Sequence, residues 1–222
     1  TNSEISKKFD RAVFQGEQGG PHVQVFAAIA TTFKFAATEK FSLLQKQIIK
    51  NAQVLCDHLK KRGFRIPYGG TNTHLLNLDC KSVCGPDGTP LSGDMAARIL
   101  DIVGLVVNRN TIPGDTSAKF ASGIRIATPW ITNRGLNEQD MIEIGDILAD
   151  TLFATTPYKV ISRDGYDYRA KINFKVLEEA KLRVRSLAEK SKLDTTCDCY
   201  GYPHFYYLDD KFESDNEWAA LE

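Results

Sequence analysis

Thr38 to Gly63 reads TEKFSLLQKQIIKNAQVLCDHLKKRG. Phe41, Leu44, Ile48, Ala52, Leu55 and Leu59 recur at spacings of three and four, which predicts a helix with one apolar face. Thr38 is placed to cap its start, and Gly63 to end it in the left-handed conformation. Downstream the period shortens to that of strands. His74-Leu75-Leu76-Asn77-Leu78-Asp79 and Ile124-Arg125-Ile126 are predicted strands, as are Phe64-Arg65-Ile66 and Leu105-Val106-Val107. A Gly69-Gly70 turn separates the strand at Phe64 from the one at His74, and Cys80 to Leu91 reads as a loop. Ser92 caps a helix with Met95, Ile99 and Ile102 on one face; Asn137 opens another with Met141, Ile144, Ile147, Leu148 and Leu152. Helices around short strands predict an α/β or α+β unit with a small antiparallel or mixed sheet flanked by helices.

Upstream of that stretch, the glycines between Gly16 and Gly20 lead through Pro21 into VQVFAAIATTFKFAA, predicted to be a buried helix. Beyond Pro157 the texture changes to a charged helix from about Tyr168 to Lys190, striped by Phe174, Leu177, Val184 and Leu187. An aromatic, acidic tail follows, and the whole segment reads as an appendage. With 42% apolar and 25% charged residues in a chain of 222, there is material for a real core. The 28 basic and 28 acidic side chains balance, so nothing draws the chain to nucleic acid or to an acidic membrane surface. No apolar run approaches the roughly 20 residues needed to span a bilayer. Five scattered cysteines make a poor disulfide framework, and a reducing, cytoplasmic setting is expected.

Two stretches point to chemistry. Phe14-Gln15-Gly16-Glu17-Gln18-Gly19-Gly20-Pro21 puts paired glycines before a helix whose free N–H groups can meet a phosphate, although plain turn geometry is the more frequent cause of such glycines. Ser122-Gly123-Ile124-Arg125-Ile126-Ala127-Thr128-Pro129 sets an arginine in a strand of small and apolar residues. Its guanidinium suits a carboxylate, with a solvent-facing or internally paired arginine as the alternative.

Together with Asn108-Arg109-Asn110-Thr111-Ile112-Pro113 and Gly69-Gly70-Thr71-Asn72-Thr73-His74-Leu75, these stretches resemble serine hydroxymethyltransferase over roughly Phe9 to Leu152. That family shows Phe-Pro-Gly-x-Gln-Gly-Gly-Pro, Gly-Gly-Thr-x-x-His-Leu and Val-Asn-x-Asn segments in this order. A Ser-Gly-Ile-Arg strand ending in Thr-Pro follows them. The resemblance implies the C-terminal portion of a fold-type I, aminotransferase-like enzyme that uses pyridoxal 5'-phosphate. Its substrates would be serine, glycine and tetrahydrofolate, in a homodimer or a dimer of dimers. It divides the chain into 1–37, the end of the large cofactor domain with the glycine turn; 38–156, the interdomain helix and small α/β domain; and 157–222, a helical extension and tail. Gly19 and Gly20 would meet the cofactor phosphate of the neighbouring subunit, and Arg125 would hold the substrate carboxylate. Asn108, Lys119 and Phe120 would lie near the folate.

The same resemblance locates the family's cofactor lysine in a threonine-rich motif upstream of the glycine turn, so this chain carries no catalytic residue of its own and is expected to be inactive in isolation. Thr31-Thr32-Phe33-Lys34 imitates that motif but lies beyond the turn, in an apolar helix. Gln15 replaces a proline, Trp130 replaces a small residue, and Lys119-Phe120-Ala121-Ser122 falls in a segment one residue shorter than in common bacterial members. A related aldolase or transaldolase, an assembly module without catalysis, and a piece of a fusion protein are the alternatives. Cys197, Cys199 and His204 offer three zinc ligands without an obvious fourth, and no metal site is expected. His22 could line the site, His58 reads as a surface helix residue, and His74 as structural.

Overall fold

The computed structural model describes residues 3–162 and 165–190, in two compact units that divide between Ser42 and Leu43. The first unit holds α1 (Ser3–Val13) and α2 (Val23–Ala36) and runs into the start of α3 (Glu39–Lys61). Thr38 caps α3 by accepting from the Phe41 amide at 3.2 Å, and Phe35 and Phe41 meet edge to face at 5.4 Å. The helix predicted over VQVFAAIATTFKFAA is present but not buried. Val23, Phe26, Ile29 and Phe33 are all exposed, because a unit of two helices and a turn has no second apolar surface to lay over them.

The second unit carries the core. Ile48, Ala52, Leu55, Cys56 and Leu59 line the buried face of α3, and Gly63 follows its end at φ +98°. β1 (Leu75–Asp79), α4 (Gly93–Val103), β2 (Asn108–Asn110), β3 (Gly123–Ala127), α5 (Pro129–Asn133), α6 (Glu138–Phe153), β4 (Thr155–Ser162), β5 (Gly165–Ile172) and α7 (Phe174–Lys190) follow. The central sheet has the order β1-β3-β2 and is antiparallel throughout. Leu76, Leu78, Ile124 and Ile126 turn its inner face into the core, against α3, α4 and α6. At the start of β3 a side chain on Gly123 would stand 2.4 Å from Ile112 Cγ2 and about as close to two carbonyl oxygens as atoms allow, so only glycine fits.

The helix starts follow the sequence closely. Ser92 accepts from the Met95 amide at 3.2 Å, and Asn137 and Asp140 form a reciprocal capping box on α6. Other expectations are corrected. Ile102 is exposed, and the buried stripe of α4 is Ala96, Ile99, Leu100 and Val103. Phe64-Arg65-Ile66 makes one bridge, Arg65 to Asp79, rather than a strand, since Pro67 has no N–H to continue a ladder. The strand predicted at Leu105-Val106-Val107 lies instead at Asn108–Asn110. The apolar triplet is the exit from α4 past Gly104, with Val106 exposed.

The largest correction concerns the region after residue 154. A β-hairpin, β4–β5, occupies Thr155 to Ile172 where a helix was expected from about Tyr168, and the helix begins at Phe174. Nor is α7 an appendage. Leu177 and Ala180 are buried in the core, Val184 and Leu187 pack against it, and only Phe174 of the predicted stripe is exposed. Arg183 donates to Glu143 at 2.6 Å and to Asp150 at 2.8 Å, and Arg62 of α3 also donates to Asp150 at 2.6 Å.

Candidate functional site

The outer face of the central sheet carries a polar row. Because β3 pairs antiparallel with both neighbours, Asn77 of β1 and Asn108 of β2 stand directly opposite Arg125, and cross-strand partners project to the same side. Alternation places Ile124 and Ile126 in the core and leaves Arg125 outside, where its Nε donates to Asn108 Oδ1 at 3.2 Å. Arg125, Asn77 and the loop Tyr68–Thr73 line a cleft of about 270 Å³. The loop is held by its own hydroxyls: Thr71 Oγ1 donates to the Leu75 carbonyl, while Thr73 Oγ1 accepts from the Leu75 amide at 3.2 Å.

Arg125 has no carboxylate partner among the described residues. Arg62, Arg65, Arg98, Arg109, Arg169, Arg183 and Arg185 each pair with an acid. Among the described residues the internal pairing weighed for this strand arginine is absent, and the cleft it lines carries no acidic side chain, an arrangement suited to the carboxylate of a small ligand.

The glycine turn belongs to the first unit. Glu17 and Gln18 donate to the last carbonyls of α1 at 2.9 and 2.8 Å, and Gln15 sits at φ +80°. Gly19 and Gly20 have open space around them, and the His22 side chain does not cap α2. The start of α2 thus has no side-chain cap from His22, and the Val25 amide donates back to the His22 carbonyl at 2.9 Å.

Phe120 closes a short turn with Lys119 at 118–120 and lies in a second, larger cleft, about 720 Å³, with Met95, Tyr166 and Tyr168. The structure thus brings Arg125 and Asn108 together and puts Phe120 elsewhere on the same unit. Trp130 is exposed at the start of α5. Thr31 and Thr32 donate to the carbonyls of Ala27 and Ala28 within α2, as expected of hydroxyls on a helix.

His58 is not a free surface residue: its Nε2 lies 2.8 Å from Asp146 Oδ1. Burial alone would raise the Asp146 and Asp150 pKa values, but His58 and Arg62 on the first and Arg62 and Arg183 on the second outweigh it, so both carboxyls stay below the usual range. Cys197, Cys199 and His204 lie outside the described residues. Within those residues no group of three or more metal-ligating side chains occurs, and no helix is long and apolar enough to cross a membrane. Asn77, which lines the cleft beside Arg125, was not singled out in the sequence, although alternation from Leu75 put it on one face of its strand.

A family model described as serine hydroxymethyltransferase matches residues 1–148. The chain is 46% identical over 145 residues to a serine hydroxymethyltransferase of Bombyx mori, covering 65% of this chain and 30% of that protein. It is 42% identical over 152 residues to one of Microcystis aeruginosa, covering 68% and 34%. It is 39% identical over 196 residues to a mitochondrial one of Candida glabrata, covering 86% and 39%. The last of these reaches past residue 148 and takes in the hairpin and α7. The chain spans about a third of the length of the curated relatives it matches.

Proposed function

This chain belongs to the serine hydroxymethyltransferase family, and we propose from that membership that it works as the C-terminal part of an enzyme moving a one-carbon unit between serine and tetrahydrofolate, with glycine as the other product. The observation that carries the reading is Arg125, a guanidinium without an acid beside it at the wall of a small-molecule cleft. It fixes the substrate carboxylate, and with it the direction of the bond to be broken, a positioning effect.

The residues present fit pyridoxal phosphate at one end. Gly19 and Gly20 have no side chain to crowd a phosphate, the space beside them is open, and the His22 side chain does not cap the start of α2. When bound, the cofactor supplies an electron-withdrawing ring conjugated to the bonds being broken. Lys34, on a helix beyond the glycine turn, is not the lysine that would hold it. The enzyme is a homodimer or a dimer of dimers, with the glycine turn serving a neighbouring subunit's cofactor. Asn108, Lys119 and Phe120 belong to the segment assigned to the folate. Cys56 and Cys80, buried and free, and Cys84, exposed and free, accord with a reducing, cytoplasmic setting.

The test is Arg125→Ala in the holoenzyme. The serine KM should rise by about 100-fold, the loss expected for a charge-assisted bidentate contact, while the cofactor stays bound. Unchanged serine kinetics would reject the assignment.

A further inference from the structure

We propose that Asn108 is a positioning residue for Arg125: by accepting from Nε, it turns the guanidinium so that Nη1 and Nη2 meet a carboxylate end-on. The inference rests on the reading of Arg125 given above and adds how that arginine is aimed. A guanidinium offers two bidentate forks, one through Nε and an Nη, the other through both Nη groups. The 3.2 Å bond from Nε to Asn108 Oδ1 closes the first and leaves the second.

The remaining surroundings leave this task to Asn108. On the opposite flank, Asn77 Oδ1 is buried and takes no hydrogen bond, so β1 does not hold the arginine. No carboxylate competes for the guanidinium among the described residues. Asn108 itself is fixed by its ladder pairing with Arg125 at the first position of β2, so both residues of the pair stand on a hydrogen-bonded sheet rather than on loops. A long side chain already held in its binding orientation loses less freedom when the ligand arrives. The effect should therefore appear in amino-acid affinity.

The experiment compares Asn108→Ala and Asn108→Thr with the parent holoenzyme; threonine keeps the strand preference of β2 but is too short to reach Nε. Glycine binding by calorimetry should weaken about tenfold in both variants, the loss of one hydrogen bond to a charged group. Because Asn108 also stands in the segment assigned to the folate, glycine binding is read in the absence of tetrahydrofolate, where no folate contact contributes. In an Arg125→Lys background, which has no fork to aim, Asn108→Ala should change glycine affinity by less than about twofold. Full glycine affinity in both single variants, while Arg125→Ala loses it, would overturn the proposal and leave the function of Arg125 standing. A rise in the folate KM with glycine affinity intact would overturn it in favour of direct folate contact. Undiminished glycine affinity in Arg125→Ala itself would instead remove the reading on which the proposal rests.

Discussion

α2 and α6 are the two most apolar helices longer than 12 residues among the described residues, and they have opposite fates. α6 buries Met141, Ile144, Ile147, Leu148 and Leu152 beneath α3, α4 and α7. α2, with fewer charged side chains than α6, buries nothing. The difference teaches that apolar character records what a helix needs and not what its own unit supplies. A helix apolar on all sides belongs inside a larger body, so the exposed Val23, Phe26 and Phe33 accord with the proposal that the rest of an enzyme covers them.

The contrast can be broken by substitution. In this chain Leu148→Ala should cost about 2–5 kcal/mol, measured by urea unfolding, since it empties a site that is 1% exposed. A smaller effect comes from the ionic link that fastens α7. The folded pKa of Asp150 lies below its unfolded value, so the ionised form stabilises the fold above roughly pH 4, and that gain disappears as pH falls through the lowered pKa. Thermal melts should show stability dropping on acidification below about pH 4, and Asp150→Asn should lower Tm near neutrality by about 2–4 °C and flatten the acid limb. An acid limb unchanged by the substitution would mean that other carboxyls carry it. The smallest effect belongs to Phe26→Ala, expected within about 0.5 kcal/mol here because the ring is already in water. A loss matching that of Leu148→Ala would abolish the comparison.

What was legible in the sequence was whatever depends on a few neighbours. Thr38, Ser92 and Asn137 cap their helices because capping is a local geometry of hydroxyl or amide and the next turn's N–H. Strand positions depend on distant backbone partners, which is why polar Asn108–Asn110 pairs with β3 while the apolar Leu105-Val106-Val107 does not. The hairpin was hidden by the mixed polarity of Tyr166 to Ile172, although Asp164-Gly165 is a turn signal in the sequence and Gly165 takes φ +126°. For the site, Arg125 was legible through its motif. Its pairing with Asn108 was not, because that pair exists only once β2 is placed three residues later than its apolar pattern indicates.

Gln15 has a consequence for how the glycine turn can vary. It is the non-glycine residue at positive φ among the described residues, at the position where the resemblance described above implies a proline. A proline ring fixes φ near −65°, so no proline can be threaded through this backbone as it stands. Restoring the family residue would therefore be a change of shape rather than of side chain: the link from α1 into Gly16 would have to refold. Position 15 is thus a point where the route of the chain toward its glycines can be rewritten while every atom of Gly19 and Gly20 is kept.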